Sequence, residues 1–312
     1  MKSLWLKTSA ITASFSVLMG LSLTATAATT KAKAKAAKTS ASSTVSTSVA
    51  QAPATVKAKK KLPISISDWS TFYGPLVNDI STGKTSDSAI DATTGLSSRH
   101  QVTFKYAIND KLSVAPVADF KIQHTVVPGE EKGFTLKDPF LKIAKNDLLT
   151  AKIRGNDIHL DSQLRLYAPA SKSSRQNKTS GSASLWLNPT VNFAKSKFSL
   201  TVYNYARHYF QSQTFGPSGS ALAANELYTG PQLSYSITDK VSAFVLYETA
   251  MTFNTLGQAQ SSTSPNDSLA DFEPGMSLDV TPNISLIPFL NWYTNQPVAT
   301  TSINLSASIK LL

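Results

Sequence analysis

The sequence contains no cysteine, so no disulfide framework holds it and no Cys-linked lipid anchors it. From residue 62 onward there is no apolar run approaching the roughly 20 residues of a membrane-spanning helix. The spacing of three and four that marks an amphipathic helix is not sustained there either. Segment 28–61 has no acid and no aromatic residue and is built almost wholly from Ala, Thr, Ser, Val and Lys. Such a segment cannot bury enough apolar surface to offset its ordering entropy, and is expected to be a flexible arm.

Charge is unevenly placed. The net charge is +11, from 30 Lys and Arg against 19 Asp and Glu. Two of the basic residues, Lys2 and Lys7, precede the arm, and eight lie in it (Lys31, Lys33, Lys35, Lys38, Lys57, Lys59, Lys60 and Lys61). That leaves 20 basic residues against all 19 acids from residue 62 onward. The basic pI therefore describes a tail and gives no reason to expect nucleic acid as a partner of the folded part. The arm's lysines are suited to anionic partners such as a cell-wall polymer, or simply to keeping a linker solvated.

Residues 1–27 have the three parts of a secretory signal. Lys2 and Lys7 come first, an apolar stretch follows over 10–23, and Ala25-Thr26-Ala27 forms a small-residue cleavage site. The expected organisation is a signal peptide at 1–27, a disordered arm at 28–61 and one folded region at 62–312.

Period-two alternation runs through that folded region. Ile303, Leu305, Ala307, Ile309 and Leu311 alternate with Ser302, Asn304, Ser306, Ser308 and Lys310. Phe272, Met276, Leu278 and Val280 alternate with Glu273, Gly275, Ser277 and Asp279, and Ile158, Leu160, Leu164 and Leu166 with His159, Asp161, Gln163 and Arg165. Each such segment reads as a strand with one apolar and one polar face.

Connections alternate too. Tight polar turns at 109–111, 194–197, 238–240 and 281–283 each join two strand-like runs. Between those hairpins lie longer stretches rich in Ser, Thr, Gly and Asn, at 75–98, 168–182, 212–225 and 254–270. Strands are expected near 64–74, 98–108, 112–124, 134–144, 156–167, 183–194, 197–210, 226–237, 241–253, 271–280, 284–294 and 299–311. The first is the weakest, because its alternation slips after Asp68, and the 145–155 connection is long for a tight turn. The reading is an all-β, transmembrane, antiparallel up-and-down β-barrel of about twelve strands, closed because lipid offers no hydrogen bonds to an open edge. A soluble sandwich would alternate likewise but would turn its apolar faces inward.

With these features the chain resembles Gram-negative outer-membrane barrels of the porin-like kind over 62–312. Such barrels usually end in an aromatic residue, whereas this chain ends Ile309-Lys310-Leu311-Leu312. The resemblance implies a place in the outer membrane, contact with its lipid, and passive diffusion of small hydrophilic solutes. The alternative is a structural or surface-interaction barrel whose lumen is filled by salt bridges.

If the apolar positions face lipid, their neighbours line a lumen. That lining would carry Lys105, Lys121, Lys142, Arg165, Arg207 and Lys310 against Asp119, Asp138, Asp161, Glu248, Glu273 and Asp279. A lining of mixed sign argues against strong selection for either ion sign. Tyr203, Tyr205, Arg207 and Tyr209 on one strand, with Tyr167, Trp186 and Tyr228 on others, suggest either an aromatic slide or simple filling.

Catalytic patterns are sparse. Of the four histidines, His208 is expected to face lipid or the rim, and His100 and His124 to lie at the external ends. His159 and Asp161 share the lumen face, but i and i+2 side chains on a strand are about 7 Å apart and no serine stands out beside them. There is no His-x-Ser-Asn-Gly segment of the kind expected of an outer-membrane phospholipase, no His-x-x-x-His, and no calcium-loop spacing. The expectation is a non-enzyme without cofactor or metal.

Overall fold

A computed structural model describes residues 63–77, 96–124, 133–261, 270–294, 297–298 and 301–312. The signal segment and the basic arm lie outside the described residues.

Among the described residues, fourteen strands follow in chain order. The first seven are β1 (Ile64–Leu76), β2 (Ser97–Ala107), β3 (Leu112–Gln123), β4 (Gly133–Leu136), β5 (Phe140–Ile153), β6 (Asn156–Tyr167) and β7 (Thr179–Asn192). After them come β8 (Phe198–Gln211), β9 (Ala223–Ser236), β10 (Val241–Asn254), β11 (Ala259–Ser261), β12 (Asp271–Thr281), β13 (Ile284–Tyr293) and β14 (Ser302–Lys310). A short helix, α1 (Lys172–Gln176), sits between β6 and β7.

Twelve long strands form a closed antiparallel ring, and the short β4 and β11 fold back on β3 and β10. The ring closes where β1 meets β14, from Ser67 opposite Lys310 to Tyr73 opposite Asn304. Every long strand therefore has two hydrogen-bonded neighbours, the condition for crossing hydrocarbon without orphaned amides.

The exposure pattern is the reverse of a soluble protein's. On β7, Ser184 is 2% exposed while its neighbour Leu185 is 49% exposed. The same inversion recurs around the ring, with Thr201, Gln232, Asn304 and Ser306 buried inside and Phe104, Leu233, Val245 and Ile303 open outside. Because successive side chains on a strand point to opposite faces, a single register error would turn the apolar set into the lumen. A continuous apolar outer wall of this extent is stable against lipid and unstable in water. On that wall Tyr247, Phe272 and Trp292 form an aromatic row at the long-loop rim, with ring centroids 5.1 and 6.2 Å apart, in keeping with an interfacial girdle. Tyr293, opposite Asp271, takes the lumen face.

Three departures from the alternation have local causes. The strand expected at 134–144 is two elements, since β4 ends at Leu136 and β5 begins at Phe140. Asp138 accordingly lies in the intervening turn rather than in the lumen, where its carboxylate accepts hydrogen bonds from Ser171 N–H (2.7 Å) and Ser174 Oγ at the start of α1. The long connection at 145–155 is mostly strand. β5 runs to Ile153 through an irregularity between Lys145 and Leu149, with Asp147 at φ 49°, and closes on β6 by a two-residue turn. In that turn Arg154 and Gly155 have φ of 52° and 86°, the paired positive values of a type I′ hairpin. Finally, β1 continues past Asp68 to Leu76.

The barrel lumen as candidate functional site

Register sorts the lumen into rungs. Ala115, Lys142, Arg165, Ser184, Arg207 and Glu226 are successive cross-strand partners from β3 to β9. One rung nearer the short-turn rim run Ala144, Gln163, Trp186, Tyr205 and Tyr228. One rung nearer the long loops run Phe140, Tyr167, Ser182 and Tyr209.

The two arginines are held in place by neighbours on these rungs. Arg165 donates from Nη2 and Nε to Gln163 Oε1 (2.9 and 3.3 Å) and lies 3.9 Å over the Trp186 ring. Arg207 donates from Nη2 and Nε to Ser182 Oγ (2.8 and 3.0 Å) and lies 4.1 Å over Tyr167. Such stacking suits guanidinium, which is planar and weakly hydrated. None of Lys142, Arg165 and Arg207 forms an ion pair among the described residues.

Rings continue the middle of the wall. Trp186 and Tyr205 centroids are 4.4 Å apart, and Tyr205 and Tyr228 are stacked at 4.8 Å and 12°. Their hydroxyls end on acids: Tyr205 and Tyr209 donate to the two oxygens of Glu226 (2.5 and 2.9 Å), and Tyr228 donates to Glu248.

An acidic wall stands beyond them on β10 and β12. Carboxylate oxygens of Glu248, Asp271 and Glu273 lie within 4.8 Å of one another, and Asn291 Nδ2 donates to Asp271 (2.7 Å) and Glu273 (2.8 Å). Acids scattered in the chain are thus gathered by the sheet into a set of hard-oxygen ligands of the type that holds calcium or magnesium.

Between the walls is a cavity of about 340 Å³. Of the lumen residues expected from sequence, the charged Lys142, Arg165, Arg207 and Glu248 and the aromatic Tyr167, Trp186, Tyr203, Tyr205 and Tyr228 line it. Asp119 sits behind it, 1% exposed, accepting from Arg99 (2.9 and 2.5 Å) and Gln101 (2.9 Å). Lys121 is the cross-strand partner of Arg99, and Glu273 joins Glu248 on the acidic wall. Lys105, Asp161, Asp279 and Lys310 share the lumen face but lie toward the short-turn rim, outside the cavity lining. There Asp161 accepts from Asp147 N–H and Asp279 from Ser285 Oγ. The cavity also takes in Trp69, which stands past the slip in β1, and Arg99 and Phe140, which share the lumen parity of Lys105 and Lys142 on their strands.

The outer face carries a polar network that sequence spacing did not reveal. Ser98 Oγ lies 2.9 Å from His100 Nε2 and 2.8 Å from His124 Nε2. His100 Nδ1 is 2.8 Å from Ser70 Oγ and 3.4 Å from Asp68 Oδ2, and Ser70 Oγ donates to that same carboxylate at 2.6 Å. This is a Ser-His-Asp file, but Ser98 is fully buried, so a substrate carbonyl has no approach to its oxygen. The network does explain the slip in β1, since Asp68 and Ser70 occupy outward positions where hydrocarbon side chains would continue the alternation. His159 pairs with Asp147 (3.0 Å) rather than with Asp161, and His208 faces outward against Asn225 (2.8 Å).

No family model matches the chain, and no curated protein matches it. Among solved structures, an outer membrane channel from Pseudomonas putida F1 superposes with a TM-score of 0.51, over 84% of this chain and 100% of that one, at 11% identity. The chain has the fold of an outer-membrane β-barrel. Further similar structures are the outer membrane protein Omp33 of Acinetobacter baumannii (TM-score 0.35, 80% of this chain and 99% of that one, 8% identity) and OmpF of Salmonella typhi (0.38, 80% and 97%, 6%).

Proposed function

We propose that this barrel sits in the outer membrane as a channel for passive diffusion of small hydrophilic solutes, delivered there by the signal at 1–27, with the arm at 28–61 on the periplasmic side. Solutes would pass the lumen-facing side chains of Lys105, Asp119, Lys121, Asp161, Arg165, Tyr203, Tyr205, Arg207, Glu248, Glu273, Asp279 and Lys310. One observation carries the reading: the cationic side chains of Lys142 on β5 and Arg165 on β6 and the carboxylates on β10 and β12 stand across the ring from one another without forming ion pairs, and a cavity lies between them. Charges that served only to fill the interior would meet as ion pairs, as Arg99 and Asp119 do.

Phe244 and Phe289 favour a second reading, a filled barrel. Both flank Gly275 on the lumen face, and a Cβ there would meet them at 2.5 and 2.8 Å. Single-channel recording of the refolded chain in a planar bilayer separates the two. A water-filled path gives discrete, ohmic current steps in potassium chloride, and a silent membrane holding folded protein rules the channel out.

A further inference from the structure

We propose that the lumen cavity is a recognition site for a small solute bearing a carboxylate next to an aromatic ring. The proposal rests on the channel reading for the solute's route to the site, and it narrows that reading to a solute class.

The first observation is an arrangement of cations that the fold does not need. Lys142 and Arg165 are direct cross-strand partners, and Arg207 stands two strands further along the same rung. Like charges placed opposite each other destabilise a sheet. Arg99 pairs with a carboxylate, whereas none of these three forms an ion pair among the described residues; Glu226, the cross-strand partner of Arg207, is held by two tyrosine hydroxyls instead. Ser182 fixes the Arg207 fork through Nε and Nη2 only, and Arg165 is held by Gln163 through the same two nitrogens and by Tyr167, so of the five N–H donors each guanidinium carries some remain for an anion in the cavity.

The second observation is the orientation of the rings. Trp186, Tyr205 and Tyr228 stand side by side across β7, β8 and β9, Tyr205 and Tyr228 stacked at 12° and Trp186 tilted against Tyr205 at 33°, so the ring faces turned toward each other are covered and the remaining edges are what the row can offer the cavity they line. Ring edges carry the positive end of the aromatic quadrupole. They attract the π-face of another ring and repel a cation. Beside the cations, both Glu226 oxygens accept tyrosine hydroxyls, and one Glu248 oxygen accepts from Tyr228; the Glu248, Asp271 and Glu273 cluster lies on the far wall, away from Arg165 and Lys142. The Trp186 face that a sugar would stack on is covered by Arg165. Guanidinium forks beside ring edges therefore match a carboxylate attached to a ring, and about 340 Å³ falls within the roughly 300–1,000 Å³ of small-molecule sites.

The test uses the full chain refolded in detergent and reconstituted in planar bilayers, with benzoate, acetate, benzyl alcohol and benzylammonium as probes. Benzoate is expected to half-block the ion current at a concentration about tenfold below that of each of the others. Arg165→Gln is expected to raise that concentration about tenfold, with block measured relative to each variant's own unblocked current. Lys142→Met serves as the second variant, and heat-dependent gel mobility confirms folding of both. Equal block by benzoate and acetate, equal block by benzyl alcohol, or strongest block by benzylammonium overturns the proposal and leaves the channel intact. If no variant conducts, the channel reading falls, and quenching of tryptophan fluorescence by 4-nitrobenzoate in detergent decides the site by itself. Saturable quenching lost in Lys142→Met supports it, and linear quenching unchanged by that substitution overturns it.

Discussion

Lys142 on β5 and Arg165 on β6 face each other as one cross-strand pair, two positive side chains sharing a rung of the lumen wall. Relieving that repulsion separates stability from selectivity. Lys142→Met is expected to stabilise the barrel by about 0.2–1 kcal/mol. The same change is expected to move the reversal potential in a potassium chloride gradient toward cation preference. Urea unfolding in lipid vesicles and bilayer recording read the two effects.

Arg99 and Asp119 behave oppositely. Asp119 is buried, while the Arg99 side chain is 45% open to the lumen, so water screens part of the pair. Arg99→Ala leaves the carboxylate with Gln101 alone and is expected to cost about 1–3 kcal/mol, and Arg99→Ala with Asp119→Asn to recover much of that loss. The unfolding midpoints of the single and double variants check this.

Gly275 lies under two rings, and valine there would push Phe244 and Phe289 apart. Gly275→Val is expected to destabilise by about 1–3 kcal/mol. Gly275→Val with Phe244→Ala should restore the stability in part and enlarge the lumen, read as a higher single-channel conductance.

The outward network around His100 predicts non-additivity among three substitutions. Asp68→Leu alone strips His100 and Ser70 of their acceptor and is expected to destabilise by about 1–2 kcal/mol, whereas Asp68→Leu with His100→Phe and Ser70→Val replaces the patch with hydrocarbon and should match or exceed the parent in lipid. Equal losses for the single and triple variants, measured by unfolding in vesicles, refute this account.

Much of the fold was legible because lipid and lumen impose opposite demands on adjacent residues. Ser184 beside Leu185, or Asn304 beside Ile303, states the face of each strand in two letters. Boundaries were less legible where hydrogen bonding replaced the alternation. Asp68 and Ser70 break it because they bind His100 from β2, a partner 30 or more residues away in the chain. Asp138 has the parity of a lumen residue but leaves the strand to cap α1. The cavity itself depends on register. Which residues share a rung with Arg165 follows from loop lengths and the bulge near Asp147, and neither is encoded in the residues of that rung.

The seam between β1 and β14 ties the extremes of the folded region together. Ile66 N–H donates to the Leu312 carbonyl, and its own carbonyl accepts from Leu311 N–H. Removing β14 would therefore do more than shorten the wall. It would uncover two rows of unsatisfied amides at once, facing a solvent that has nothing to give them. Insertion is then an all-or-nothing event in chain length, in which the earlier strands must wait, unsealed, for the last one to arrive.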